Sequence, residues 1–199
     1  MSILTPEEFY SEEVEEYDEK NALENLPDNF KDLLDSFSSK VGSGKILDVG
    51  CGTGRDTNYF AERGFEAVGI DIAPGMIRYA KENYEGEFIE GDMRYLAFDE
   101  TSFDGVWANA SVFLLPKSDW ESAIGEIHRV MKDNSVLQIN FKIGEGELEK
   151  ERDDSSVKQY LAPEDEIDDL LEDKGFEITS YERHETYRPF DFGNYFCRK

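Results

Sequence analysis

Residues 46–54 read Ile-Leu-Asp-Val-Gly-Cys-Gly-Thr-Gly, an apolar run that passes straight into glycines at every second position. The run has the length of one buried strand, and glycine at 50, 52 and 54 permits positive φ and a close backbone approach that a Cβ would block. A helix is expected from Arg55 onward, so the loop joins strand to helix, with helix N-terminal amides turned toward a ligand. In open α/β sheets that position, beyond the carboxyl end of a strand, is where ligands bind. A dinucleotide fingerprint needs its last glycine where Arg55 stands, and Gly54 comes one place early, which disfavours NAD or FAD.

Outward from this loop, short buried runs alternate with amphipathic stretches. Toward the C-terminus the pattern predicts a helix at 55–63, a strand at 66–70, a helix at 74–83, strands at 87–90 and 103–108, a helix at 117–131 and a strand at 135–142. The polar stretch 144–156 is expected to be a surface loop, followed by a helix at 163–174 closed by Gly175 and by strands at 177–183 and 194–198. Toward the N-terminus, Phe30, Leu33, Leu34, Phe37 and Val41 mark one face of a helix that Gly42 and Gly44 end. Thr5, Pro6 and Glu8 form the pattern of an N-cap, a first-turn proline and a capping box, so another helix should begin near Pro6. Regular βα alternation implies an α/β fold with a mostly parallel sheet covered on both faces.

At 199 residues the chain has the length of one α/β domain. No stretch approaches the roughly 18 apolar residues needed to span a bilayer, and the opening residues are acidic where a secretion signal is basic and then apolar. A cytoplasmic protein without membrane association is therefore expected. Cys51 and Cys197 lie far apart, with only His128 and His184 as further soft ligands, so no disulfide framework and no metal site is expected. The net charge of -25 comes from acids spread along the whole chain. Self-repulsion of that size is best tolerated where salt shortens the Debye length, to about 3 Å near 1 M, which makes a halophilic cytoplasm an expected home. The same charge, with no basic run, points away from nucleic acid as a partner and toward a small-molecule substrate.

About twenty residues past the loop, the second strand ends at Asp71, whose carboxylate is placed to accept two ribose hydroxyls. The third ends at Asp92-Met93, an acceptor for an exocyclic amine beside an apolar edge for a purine. The ordered set DVGCGTG, GID, EGDM, FDGVWANAS and HRVMKDNSVLQINF resembles the motifs of class I S-adenosylmethionine-dependent methyltransferases, closely over 46–141. The resemblance implies a Rossmann-like three-layer sandwich, a seven-stranded sheet whose last strand is antiparallel and an N-terminal helical cap at 1–44 ahead of one compact unit at 45–199. It implies S-adenosyl-L-methionine as cofactor, with Gly50, Cys51 and Gly52 along its methionine and ribose portion, Asp71 on the ribose, Asp92 and Met93 on the adenine, and Asn109 facing cofactor and substrate. Gly54 completes the loop. Asp48 bonds the loop amides or the cofactor ammonium, or is structural. Arg55 meets a carboxylate of cofactor or substrate, or is a solvated charge. Ile70, Ile72 and Val106 need only a core role, with Ile72 also counted among the cofactor-lining residues.

The reaction so implied is methyl transfer to a small-molecule acceptor. A non-catalytic cofactor-binding subunit, or transfer of an aminopropyl group on the same fold, are the alternatives. No catalytic residue is assigned. Several relatives carry a histidine where Leu114 stands, and Trp107 to Ala110 replace the [DNS]PP[YFW] tetrapeptide of amide and adenine N-methyltransferases. The segment FKIGEGE at 141–147 resembles a subgroup of unknown substrate, which makes Lys142, Glu145 and Tyr160 candidate rim residues. Tyr10 and Tyr17, seven apart on one helical face, are candidates to reach the active site.

Overall fold

The computed structural model describes residues 2–11, 14–184 and 190–199. The glycine-ended run forms β2 (Lys45–Val49) and leads through the loop into α4 (Arg55–Ala61). β3 (Glu66–Asp71), α5 (Pro74–Asn83), β4 (Glu87–Glu90), β5 (Phe103–Ala108), α6 (Lys117–Val130) and β6 (Met131–Ile143) continue the alternation. After a hairpin come α7 (Glu164–Asp173), β9 (Glu177–His184) and β10 (Asp191–Arg198). The strands lie in the order β4-β3-β2-β5-β6-β10-β9, parallel except for β10, which runs antiparallel to both neighbours. This is the seven-stranded Rossmann-like sheet expected from the sequence, with the last strand reversed.

Alternation along each strand divides the core. Ile46, Ala67, Trp107, Val136 and Phe196 pack under α4 and under α3 (Asp28–Val41), which contributes Leu34 and Phe37. Cys51 and Phe88 pack under α5, against Ile77 and Ala80. Leu47, Val49, Val106, Leu137 and Ile139 face the other way, toward Ile124 and Ile127 of α6 and Ile167 and Leu171 of α7. The result is three layers with helices on both faces.

Two features depart from the sequence reading. The stretch 144–156 is not a loop: β7 (Glu147–Arg152) pairs antiparallel with β8 (Ser155–Ala162), and Asp153 turns between them at φ 48°. The charges that made it look like a loop line an edge strand with one wet side, and Lys158 answers Glu147 across the hairpin at 2.6 Å. The N-terminal cap is not wholly helical either. β1 (Ser2–Leu4) runs parallel to β8, Ser2 opposite Ser155 and Leu4 opposite Val157. The helix predicted at Pro6 is α1 (Pro6–Tyr10), capped as expected by Thr5 and Glu8, and α2 (Val14–Lys20) follows as a separate helix. Because β8 joins β6 only at Lys142 and Ile143, past the end of β5, the β7–β8 hairpin and β1 stand above the carboxyl ends of the central strands.

Gly54 shows how tightly loop and helix fit. Its φ is 94°, and a Cβ there would lie 2.7 Å from the Phe88 ring and 3.0 Å from Ala80 Cβ. Gly54→Ala is therefore expected to cost about 2–5 kcal/mol of unfolding free energy, from backbone strain plus overpacking, read from urea denaturation midpoints. A loss under about 0.5 kcal/mol, the range of a neutral surface change, would contradict this packing.

Candidate functional site

The loop at 50–54 is held from below. Gly50 N and Cys51 N both donate to Ile70 O, at 2.8 and 3.0 Å, which closes the β2 tip over β3. Gly50 has φ 74°, and a Cβ on it would sit 2.3 Å from Ser111 Cβ, so the turn after β5 occupies that space. Gly52 differs: its φ is 55°, yet the nearest atom to a Cβ there is Tyr17 Cε1 at 3.9 Å. The first glycine is required by the protein's own packing, the second by backbone conformation at a surface left open.

That surface is the floor of a cavity of about 520 Å³. Gly50, Gly52, Asp71, Ile72, Asp92 and Met93 line it from the tips of β2, β3 and β4. Tyr10 and Tyr17 close it from above, and Ile3, Leu4, Leu114, Val157, Lys158 and Tyr160 wall it. The volume suits a small organic ligand, and most of the wall is apolar.

Asp71 is the polar centre of the floor. Its Oδ2 accepts from Gly52 N at 2.9 Å and its Oδ1 from Ala73 N at 2.8 Å. Burial pushes its carboxyl above the usual range, against the pull of the Ala73, Gly52 and Ile72 amides. Each oxygen keeps lone-pair capacity for a further donor, so the residue can hold the loop and a diol together. Asp92 is less free, because Arg94 forks onto it with Nη2 2.6 Å from Oδ2. Desolvation opposes ionisation there, but the guanidinium holds the carboxyl below the usual range.

Five expected site residues do not line the cavity. Cys51 turns beneath the loop toward Ile77, Ala80 and Phe88, and burial pushes its thiol up. Gly54 caps α4. Asn109 faces β6, accepting from Asn140 Nδ2 at 2.6 Å; Ala110, at φ 56°, then turns the chain so that Ala110 and Ser111 line the cavity instead. Arg55 is not a solvated charge, because the protein itself engages its guanidinium. It forks onto its neighbour Asp56 at 2.7 and 3.0 Å, donates to Asn21 O at 2.7 Å and lies over the Phe30 ring. Asp56 in turn accepts from Trp107 Nε1 at 3.0 Å. Asp48 takes the structural alternative: buried in β2 on the α4 side, it accepts from Thr57 Oγ1 at 2.7 Å. Among the rim candidates, Tyr160 lines the cavity and Glu145 is exposed beyond it. Lys142 is buried, bonded to Gln159 Oε1, with its ammonium 3.6 Å from the Phe190 ring centre.

Apart from Tyr160, the residues that sequence reasoning missed are those of the walls. Ile3, Leu4 and Val157 are ordinary apolar residues, with nothing in their spacing to mark a site. Tyr10 and Tyr17 do not share one helical face as their seven-residue separation suggested but lie on α1 and α2, where they meet edge to face at 5.7 Å and both line the cavity. Lys150 Nζ donates to the Tyr10 hydroxyl at 3.2 Å. Burial, with Tyr17 and Asp71 nearby, raises the Tyr10 phenol above its ordinary range, so it stays protonated at neutral pH.

Asp48 supplies a pH test. Desolvation and the neighbouring Asp56 push its carboxyl well above the unfolded value near 3.8. An acid whose folded pKa is raised stabilises most below its unfolded value and loses that contribution as pH rises. Asp48→Asn, which keeps an acceptor for Thr57, should therefore be more stable than wild type at neutral pH and lose that advantage as pH falls toward 3.8. Urea midpoints across this window check it, and equal midpoints at neutral pH would refute a raised Asp48.

Residues 46–134 match the family model described as a methyltransferase domain. A Bacillus subtilis protein named as a methyltransferase, YqeM, is 28% identical over 159 residues, 72% of this chain and 64% of its own length. The 18S rRNA (guanine-N(7))-methyltransferase bud23 of Schizosaccharomyces pombe is 30% identical over 149 residues, 71% of this chain and 54% of its own. The chain thus spans between half and two-thirds of the length of these curated relatives. Among solved structures, the 1,6-didemethyltoxoflavin-N1-methyltransferase of Burkholderia thailandensis superposes with a TM-score of 0.70 at 20% identity, covering 100% of this chain and 92% of its own, and so shares the fold.

Proposed function

We propose that this chain, a class I Rossmann-like protein whose residues 46–134 carry a methyltransferase domain, binds S-adenosylmethionine on the tips of β2, β3 and β4 and transfers its methyl group to a small-molecule acceptor. The observation that carries the reading is the open face of Gly52 beside Asp71: a backbone cradle without a Cβ, next to a carboxylate with capacity for a diol. S-adenosylmethionine, when bound, supplies a methyl group already activated on a sulfonium sulfur, so the protein's part is to position and to exclude water. Asp71 holds the ribose while fixing the Gly52 amide. Gly50 and Gly52 admit the methionine chain, and Ile72 and Met93 offer apolar edges to the purine. Tyr10 and Tyr17 shut the cavity from above, and the protonated Tyr10 hydroxyl, accepting from Lys150, is placed to orient an acceptor.

An RNA acceptor is the second reading, favoured by the name of the fission-yeast relative. The net charge of -25 opposes it, since phosphate backbones are held mainly by basic clusters. Incubation with methyl-labelled cofactor, followed by separate counting of RNA and small-molecule fractions of a cell extract, decides between them.

A thermal melt with S-adenosylmethionine, S-adenosylhomocysteine and NADH in parallel tests the cofactor. A ligand at a hundred times its dissociation constant adds about 2.7 kcal/mol, so the first two should raise the midpoint and NADH should leave it unmoved. No shift with either sulfur compound defeats the proposal. Asp71→Ala should weaken S-adenosylhomocysteine binding by about 1.5–3 kcal/mol, the range for bonds to a charged group. Because the same carboxylate holds two amides, the variant should also lose about 1–3 kcal/mol of stability. Calorimetric titration at wild-type affinity would remove Asp71 from the ribose.

A further inference from the structure

We infer, resting on the cofactor reading just proposed, that Asp18 is a positioning residue: gripped by the Tyr79 and Tyr84 hydroxyls of α5, it seats Tyr17 over the Gly52 cradle and so keeps the cofactor in the cavity. Tyr17 and Asp18 are neighbours on α2, about 100° apart around a helix of 3.6 residues per turn, so one can face the loop while the other faces α5.

α2 has little else to hold it. It is seven residues long and none of its side chains is buried, whereas isolated helices shorter than about 12–15 residues are marginal in water. Asp18 supplies the attachment to α5. Tyr79 Oη donates to Oδ2 at 3.0 Å, and the one hydroxyl hydrogen of Tyr84 is shared between Oδ1 at 3.1 Å and Oδ2 at 3.0 Å. Hydrogen bonds to a carboxylate are among the stronger ones. Burial, reinforced by Asp18, raises both phenols above their ordinary range, so they remain donors at neutral pH. A second attachment follows the helix end. Asn21 donates through N and Nδ2 to Tyr17 O, at 3.1 and 2.7 Å, and its own carbonyl accepts from Arg55 Nη1 at 2.7 Å.

Held at both places, α2 presents Tyr17 to the cavity. Tyr17 Cε1 is the nearest atom to a Cβ built on Gly52, at 3.9 Å, and the ring meets Tyr10 in the roof. Asp18, Tyr79 and Tyr84 do not line this cavity; Asp18 and Tyr84 line a separate cleft. The grip therefore acts on a ligand through the residue beside it rather than by contact. Apparent affinity falls with the fraction of molecules whose site is competent, so two phenols that keep the roof seated tighten binding without touching what is bound.

Calorimetric titration of the full chain with S-adenosylhomocysteine, arranged as a double-mutant cycle, tests the assignment. Tyr79→Phe combined with Tyr84→Phe deletes both donors and keeps both rings, and should weaken binding by about tenfold. Tyr17→Ala should weaken it as well. In the Tyr17→Ala background the two phenylalanine substitutions should change affinity by less than about twofold, because the side chain they position is gone. A purely structural role would give the same loss in both backgrounds. Asp18→Asn keeps an acceptor oxygen but not the charge, should fall between wild type and the double phenylalanine variant, and replaces the latter in the cycle if urea denaturation shows that it does not fold. Wild-type affinity in the folded variants overturns the inference, as does an equal loss with and without Tyr17. Failure of S-adenosylhomocysteine to bind wild type at all defeats instead the cofactor reading on which the inference stands.

Discussion

The hydrogen bonds from the Gly52 and Ala73 amides to the two oxygens of Asp71 tie the end of β3 to the loop that leaves β2. The loop's direction sets where α4 begins, and its first turn carries Arg55 and Asp56. Arg55 reaches Asn21 O and the face of Phe30, and Asp56 reaches the Trp107 indole in β5. Through those contacts the N-terminal segment is fixed over the sheet. That segment then delivers Tyr10 and Tyr17 to the roof of the cavity whose floor Asp71 began. One carboxylate is therefore both a structural clamp and the best-placed acceptor for a ligand, and the cavity's shape is not separable from its chemistry.

The acidic surplus is organised rather than diffuse where it meets the interior. Asp48 and Asp56 lie buried under the loop, and the structure answers one with a fork from Arg55 and the other with a hydroxyl. A fork satisfies a charge, whereas a single donated hydroxyl offsets only part of the cost of burying one, so desolvation dominates at Asp48. At the cavity edge the Arg94 pair with Asp92 and Asp119 performs the same service for acids that would otherwise crowd the β4 tip. Among the described residues that line the cavity, Arg94 and Lys158 are both engaged by carboxylates, so neither stands as an unpaired charge toward a substrate.

How much of this is legible in the sequence follows from which physical signals are local. Strand and helix placement is local: the apolar run 45–49, the capping box at Thr5 and the period of three and four in α3 each carry their own evidence. The wall strands carry little, because β7 presents charges to water and β1 is three residues long. For the site, residue type and spacing mark a strand tip, and Gly50, Gly52, Asp71 and Met93 sit where that signal puts them. Spacing does not say which way a side chain points after a non-glycine residue at positive φ, so Asn109 was not separable from Ser111. Nor does it show a partner two residues on, so Arg94 leaves no mark on the reading of Asp92.

The floor and the roof of the cavity come from different parts of the chain. The floor, from Gly50 to Arg94, lies within the residues that match the methyltransferase-domain model. Ile3, Leu4, Tyr10, Tyr17, Val157, Lys158 and Tyr160 lie outside it, on β1, α1, α2 and β8. A floor built from strand tips is rigid, since each residue is pinned by its neighbours' ladder. A roof built from short helices and an edge hairpin rests on few backbone bonds and tolerates exchange of its side chains without disturbing the sheet. On the proposed function, recognition of the cofactor belongs on the first surface and choice of acceptor on the second. On that reading the matched residues carry no information about the acceptor, which would meet three tyrosines, one lysine and an apolar strand outside them.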